Sequence, residues 1–291
     1  MIYYFLLILS IILAVCKSSI YNTYAKKDEP TLVGTFRFNA ISYGCAAIIA
    51  LIGMLISAET LSGTTVICAF FYATIVVSLQ TISITAMSVG AMSTTSICVM
   101  YGMIIPAVAG PIFWHEPIGV LQIIGIVAMI FSLWLIKGEK PTDQKGMTRK
   151  WAILAIFAFI LSGMAGVMEK IHQSTSANDE RMSFVCVACT FMFVFSIAAI
   201  LMVRKKEDKK TIVSVIPLAA LSGLVVGFYS TVNLILAGKL ESIIYYPVAN
   251  GGAMLLTVLV SVIAFKERFD KWRMIGTAIG LIGILCLSIP I

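Results

Sequence analysis

The sequence predicts an all-α integral membrane protein: ten transmembrane helices, arranged as two inverted five-helix repeats. Three observations predict this class. Of the 291 residues, 60% are hydrophobic and only 12% charged, with a mean hydropathy of +1.01. Soluble domains are nearer about 45–50% apolar and about 25% charged. Apolar runs long enough to cross a bilayer, about 20 residues, recur between short polar connections. The second half also echoes the first at a fixed offset, with reversed charge bias in its loops. So few charges exclude a soluble enzyme, a secreted disulfide scaffold or a nucleic-acid binder as the bulk of the chain. The net charge of +7 sits in short loops, where it follows membrane-insertion and lipid rules.

The spans follow in order. Span one runs from Ile2 to about Tyr24. It has no basic segment before it, and Lys26 and Lys27 come after it, the reverse of a cleavable signal peptide. Span two covers about Leu32 to Ile56. Leu61 to Phe113 carries no charge and is too long for one helix, so it holds spans three and four. Span five covers Ile118–Ile136. A hydrophilic linker then precedes span six, Trp151 to about Met168. Spans seven to ten cover Met182–Val203, Ile212–Leu236, Ile243–Phe265 and Trp272–Ile289. Trp114, Trp151 and Trp272 fall at the expected membrane interfaces. All seven cysteines lie in apolar stretches, where thiols behave as small hydrophobes. Cys186 and Cys189 share one helix face.

The repeat is carried by His115-Glu116-Pro117 through Gly125 and Lys266-Glu267-Arg268 through Gly276, 151 residues apart. That offset sets Ser88 opposite Lys239 and Gly90 opposite Glu241. The turn between spans three and four is therefore expected near Gly90. The organisation read from this is a first repeat at 1–137, a linker at 138–150 and a second repeat at 151–291. Five spans is an odd number, so the copies insert upside-down relative to each other. Charges agree: the connections after spans two and four lack Lys and Arg, while their counterparts after spans seven and nine are rich in them. Inverted repeats mark secondary transporters, with a site near the midplane where the halves meet.

With Lys17 late in span one, Pro30 seven residues before Arg37, Pro106 in span four and the two loop-Glu-to-Gly segments, the chain resembles the drug/metabolite transporter superfamily, in particular its ten-helix EamA type. The resemblance implies two five-helix bundles in which spans one to four and six to nine surround a central cavity, with five and ten outside. It implies a substrate among amino acids, other small metabolites and drugs. The related small multidrug resistance proteins carry a membrane-embedded Glu where this chain has Val15, and the second half has Gly163, so Glu-based exchange is not carried over. The family usually keeps both termini in the cytoplasm. Here Lys and Arg gather after odd-numbered spans, with only Lys170, Arg181 and Lys239 on the other side. That bias places the 138–150 linker in the cytoplasm of a bacterial cell membrane and both termini outside.

Ionisable groups at membrane depth default to functional hypotheses. Lys17 lies about 13 Å along the helix from Lys26, too deep for easy snorkelling. Glu169 matches it in the second half, and a Lys17–Glu169 pair would serve either as a substrate-responsive ion pair or as a structural bridge. Arg37 is shallower and reads as a snorkelling anchor, though it stays among the substrate-binding candidates. Gln80, Tyr101, Tyr229, Asn233, Tyr246 and Asn250 are the uncharged candidates, because lipid-facing polar groups are costly. Pro106 in span four and Pro247, Gly251 and Gly252 in span nine are candidate gating residues, paired interruptions of corresponding helices. Gly223-x-x-x-Gly227 and Gly276-x-x-x-Gly280 read as close helix packing. Asp179 and Glu180 read as solvated loop residues.

The leading reading is a secondary transporter, working by alternating access through a cavity between the repeats. No catalytic residue, metal site or cofactor is expected, and two histidines offer no cluster for either. The expected partners are a small-molecule substrate and membrane lipid, with a proton as candidate coupling ion and a second copy of the chain as candidate homodimer partner. A membrane-embedded lipid-modifying enzyme and a structural membrane protein are the alternatives.

Overall fold

The computed structural model describes residues 2–27, 31–115, 118–136, 149–175, 179–203, 209–237, 242–266, 271–287 and 289. Regular structure among them is entirely helical: α1 (Ile2–Lys27), α2 (Leu32–Ser57), α3 (Gly63–Val89), α4 (Met92–Tyr101), α5 (Ile104–Phe113), α6 (Val120–Ile136), α7 (Arg149–Gln173), α8 (Arg181–Val203), α9 (Lys209–Ala237), α10 (Ser242–Ile263) and α11 (Lys271–Leu287). Seven segments are long and apolar enough to cross a membrane, with Met92–Phe113 counted as one, and α6, α10 and α11 hold shorter apolar stretches. The protein is an integral membrane α protein. Its outer faces agree: Leu55, Ile56, Val120, Trp134, Leu201 and Met202 all stand exposed, a cost that lipid removes and water would not.

Local chemistry sets the breaks. Thr31 caps α2 by accepting from the Gly34 N–H at 3.0 Å, and Ser62 caps α3 by accepting from the Thr65 N–H at 3.3 Å. The charge-free run from Leu61 to Phe113 turns at Gly90, where the repeat offset puts it. The fourth span then breaks again, at Gly102 and Met103. Pro106 explains it. Without an N–H, Pro106 cannot bond the carbonyl four residues back and its ring crowds that oxygen. The Gly102 carbonyl accepts from the Ile105 N–H instead, at 3.0 Å, a tighter turn that separates α4 from α5. The interruption expected in span nine is not there. Helix α10 runs unbroken through Pro247, Asn250, Gly251 and Gly252. His115 and Lys266, equivalent under the offset, both end their helices in the left-handed region at φ 53°.

The helices meet mostly across the halves. α2 packs on α8 and α9, α3 on α7 and α8, α1 on α9 and α10, and α7 on α4 and α5. α6 and α11 pack on each other at the periphery, with α4 and α10 as their neighbours. Exchanging each span with its equivalent in the other half maps α2–α9 onto α3–α8, α1–α9 onto α3–α7, and α1–α10 onto α4–α7 and α5–α7. The contacts α2–α8, α4–α10 and α6–α11 map onto themselves.

Glycines allow the closest approaches. A Cβ on Gly223 would lie 2.4 Å from the Ser42 carbonyl, and one on Gly227 2.7 Å from Ile49 Cδ1, so α9 rides directly on α2. A Cβ on Gly283 would meet the Gly125 carbonyl at 2.8 Å, which joins α11 to α6. Both are the small-residue packing expected of membrane helices.

Contacts near helix ends define two levels. At one, Lys26 lies over the Phe265 ring at 5.6 Å, and Trp151 donates to Thr95 Oγ1 at 3.0 Å while covering Gly90. This is the linker level, where α6 ends and α7 begins. Trp151 faces protein here, buried among α3, α4 and α7. At the other, the terminal level, Lys170 lies over the Trp114 ring at 5.0 Å, and the Gln122 amide donates to the Ile289 carbonyl at 3.5 Å.

Candidate functional site

Between these levels lies a band of polar side chains that the sequence scatters over five helices. The Lys17 ammonium of α1 sits 4.4 Å from the centroid of the Tyr229 ring on α9. Within a low-dielectric span, an aromatic face is a favourable seat for an unpaired cation. Close by on α1, the Tyr21 hydroxyl reaches Ser222 and neighbours Tyr229. Ser222 in turn accepts from Ser42 at 2.9 Å. Tyr43, one residue on, donates to the side-chain oxygen of Gln80 on α3. Asn39, one turn back, donates to Thr81 at 3.0 Å. The polar face of α2 is thus Asn39, Ser42 and Tyr43, held against α3 and α9.

Two groups in this band are left over. Gln80 Nε2 and Asn39 Oδ1 are buried and have no hydrogen-bond partner among the described residues. One is a donor and the other an acceptor, on neighbouring helices. Such groups are costly in a dry interior, and they are suited to a hydrogen-bonding solute.

The expected Lys17–Glu169 contact is not made. Glu169 on α7 is exposed and accepts from the Tyr72 hydroxyl of α3 at 2.8 Å. Lys17 has the Tyr229 ring. The two charges lie within electrostatic reach of each other without touching. Each satisfies itself on a tyrosine of the helix it packs against, which removes the pressure to close the gap.

The other candidates divide. Asn233 accepts from Ser10 at 2.5 Å and so ties α9 to α1 toward the terminal level. Tyr101 is fully buried away from the band; its hydroxyl bonds Ser132 at 2.6 Å and seals against Gly280. Its packing shell is Met129, Met254 and Ile284. Arg37 is half-buried on α2, and Asn250 on α10. Tyr246 and Pro247 lie in α10 with side chains outside the described residues. Pro106 packs on Gly166 of α7, and Gly252 faces Ile11 of α1. Gly251 is buried with ordinary clearance to Leu281. An apolar groove of about 450 Å³ also opens between α2 and α8, lined by Ala40, Gly44, Cys45, Ile48, Thr190 and Phe193. It presents hydrocarbon rather than the polar groups of the band.

At the terminal level the sequence reading of Glu180 needs correcting. Glu180 is not solvated: it is 8% exposed and accepts from Thr60 Oγ1 at 3.1 Å, the Ser62 N–H at 2.9 Å, Ser62 Oγ at 2.8 Å and Thr65 Oγ1 at 2.6 Å. The Thr65 hydroxyl and the Ser62 N–H, with Ser62 and Thr60 hydroxyls behind them, hold its carboxyl down at about 2. Its negative charge lies at the N-terminus of α3, where the helix dipole favours it. Glu59 returns the favour, accepting from the Ser183 N–H in the first turn of α8 at 3.0 Å. His172 completes the clasp, with Nε2 3.0 Å from Thr65 Oγ1 and its ring stacked on Phe184 at 4.4 Å.

Residues 149–289, which contain α7 to α11, match the model of the EamA-like transporter family. This half of the chain is similar to that family. It is a family of membrane transporters of the drug/metabolite type. An uncharacterized protein of Haemophilus influenzae is 23% identical over 188 residues, which make up 64% of this chain and 62% of that protein. The chain thus spans less than two thirds of that relative's length. A solved crystal structure aligns with a TM-score of 0.62 at 9% identity, over 95% of both chains, a likeness of fold. The EamA-like half supplies Glu169, Ser222 and Tyr229 to the band, and the first half supplies the rest. Sequence reading missed Tyr21, Asn39, Ser42, Tyr43, Tyr72 and Ser222. Asn39 and Tyr43 at helical spacing on span two were the available signal.

Proposed function

We propose that the protein is a secondary transporter that carries a small metabolite by alternating access between two inverted five-helix repeats. The split pair of Lys17 and Glu169 carries this reading. The two charges come from opposite halves, each rests on a tyrosine, and they lie within electrostatic reach of each other without touching. A solute with both an anionic and a cationic end, such as an amino acid, has its anion drawn to Lys17 and its cation to Glu169 and Tyr72. Gln80 and Asn39 offer it a donor and an acceptor. The inverted arrangement is supported by helix contacts that interchange under exchange of the halves, by the matched left-handed caps at His115 and Lys266, and by the alternating levels of the helix ends. The surplus of Lys and Arg at the linker level sets that level in the cytoplasm, with both termini outside.

The test is uptake into proteoliposomes, with radiolabelled amino acids and dicarboxylates assayed one at a time. Transport of an amino acid by the wild type, with KM raised at least about tenfold in Lys17→Gln and in Glu169→Gln, is the expected result. Unchanged KM in both variants would remove the split pair from the solute path.

A further inference from the structure

Four buried polar side chains form a second level that the reading above leaves unused. Asn22 on α1, Ser83 on α3, Ser96 on α4 and Thr257 on α10 are each at most 5% exposed. Both polar atoms of Asn22, and all three hydroxyls, have no hydrogen-bond partner among the described residues. Each lies four to six residues inside the linker-level end of its helix, about 6–9 Å deep. α1 touches α3, α4 and α10, and α4 touches α3 and α10. Flanking residues fall into two pairs. Tyr21 beside Asn22 shares a core with Ile84 beside Ser83. Ile97 beside Ser96 shares another with Met254 and Val258, which flank Thr257.

Nearby hydroxyls behave differently. Thr81, Thr85 and Thr95 each bond the carbonyl four residues back in the chain, at 2.8, 2.8 and 2.9 Å, the usual way a helical hydroxyl satisfies itself. Ser83, Ser96 and Thr257 do not, although each sits in a helix that provides such a carbonyl. Four unsatisfied groups destabilise this conformer. Apolar residues of the same shape would fill the space without that cost. Their presence is explained by a conformer in which they meet a polar ligand.

We infer that Asn22, Ser83, Ser96 and Thr257 form a constriction at the linker level of the solute path, closed here and wetted when the halves rock open. Its chemistry is neutral: an amide and three hydroxyls, able to donate and to accept. It passes water and the hydrogen-bonding groups of the solute while offering a full charge no counter-charge, which leaves charge selection to Lys17 and Glu169. The inference rests on the transporter reading.

The experiment has two arms, both on the full chain. In the first, Ser83→Cys and Ser96→Cys are treated in membranes with a small water-soluble methanethiosulfonate, and peptide mass spectrometry reads each thiol separately. Labelling of both is expected, with native Cys98 unlabelled as the buried control. In the second, the Ser83→Ala/Ser96→Ala/Thr257→Val variant is assayed for its melting midpoint and for transport of the amino acid that the wild type carries. The midpoint should hold or rise, and the transport rate should fall about tenfold, as expected for hydrogen bonds lost on the path. Unlabelled thiols at both positions, a lowered midpoint, or wild-type transport by the triple variant would each overturn the constriction. Labelling of both cysteine variants, together with a wild type that carries no solute, would leave the wet level standing and remove the transporter reading instead.

Discussion

Gly223→Ala tests the close approach of α9 to the backbone of α2. The added Cβ falls 2.4 Å from the Ser42 carbonyl oxygen and 2.6 Å from Cys45 Cβ. Ordinary contact begins about 1 Å further out. Neither obstacle can swing aside, since one is backbone and the other is anchored directly to it, so α9 must move away from α2. That movement also stretches the adjacent Ser42–Ser222 bond. Overpacking of this kind costs about 1–3 kcal/mol, and a backbone clash belongs at the upper end. Ala gains about 1 kcal/mol over Gly in a helix, which leaves a net loss near 2 kcal/mol. At roughly 2–4 °C per kcal/mol for a chain of this size, the melting midpoint in detergent should fall by about 4–8 °C, read by tryptophan fluorescence. Gly63→Ala is the control. Its Cβ meets nothing within 4 Å, so its midpoint should hold or rise slightly. A Gly223→Ala midpoint at or above wild type would mean that α9 and α2 do not meet in this register.

Three further outcomes follow from the site. Tyr43→Phe removes the donor to Gln80 and leaves a second atom of that buried amide unsatisfied, a loss of about 1–3 kcal/mol in chemical or thermal unfolding. The Glu180 carboxyl lies at about 2, below its ordinary 4.5. Its stabilisation is therefore fully present above about pH 4.5 and is lost as pH falls toward about 2; the midpoint gap between wild type and Glu180→Gln should shrink over that window, and a constant gap would refute the clasp. Pro106→Ala returns an N–H to the Gly102 carbonyl and should fuse α4 with α5, so that transport falls in proteoliposomes while the midpoint does not.

What was legible in the sequence, and what was not, divides by the range of the interaction. Helix limits came from apolar runs and lie within a few residues of those found, because lipid reads composition directly. The hidden turn at Gly90 was legible only through the 151-residue offset, which borrowed the charged turn of the other half. The packing role of Gly223 and Gly227 was legible from spacing. Glu180 was not: in sequence it is one more charge in a polar loop, and its partners Thr60, Ser62 and Thr65 lie far away along the chain. Lys17 and Glu169 were legible as deep charges, but their tyrosine seats, Tyr229 and Tyr72, were not, since a tyrosine in a membrane helix looks alike whether it packs, bonds lipid or carries a cation. Span nine was over-read. Pro and Gly there suggested a break like that of span four, but a proline interrupts a helix through the carbonyl four residues before it. At Pro106 that carbonyl, of Gly102, turns to the Ile105 N–H and the span breaks, whereas α10 carries Pro247 as its sixth residue without a break.

The buried hydroxyls carry a wider argument. In an apolar helix, a Ser or Thr needs no partner from another element, because its own backbone supplies one; Thr74, Ser78, Thr190 and Ser196 each take it, at 2.7–3.0 Å. A hydroxyl satisfied this way says nothing about function. One that reaches another helix, as Ser42 reaches Ser222, says that two helices are held together. One that does neither, as at Ser83, Ser96 and Thr257, is a cost this conformer bears. Composition cannot separate the three classes, since all are Ser or Thr in a hydrophobic run. Only the third is left for a second conformation to satisfy, and under the alternating-access proposal a group unsatisfied in one state is where the other state should be sought.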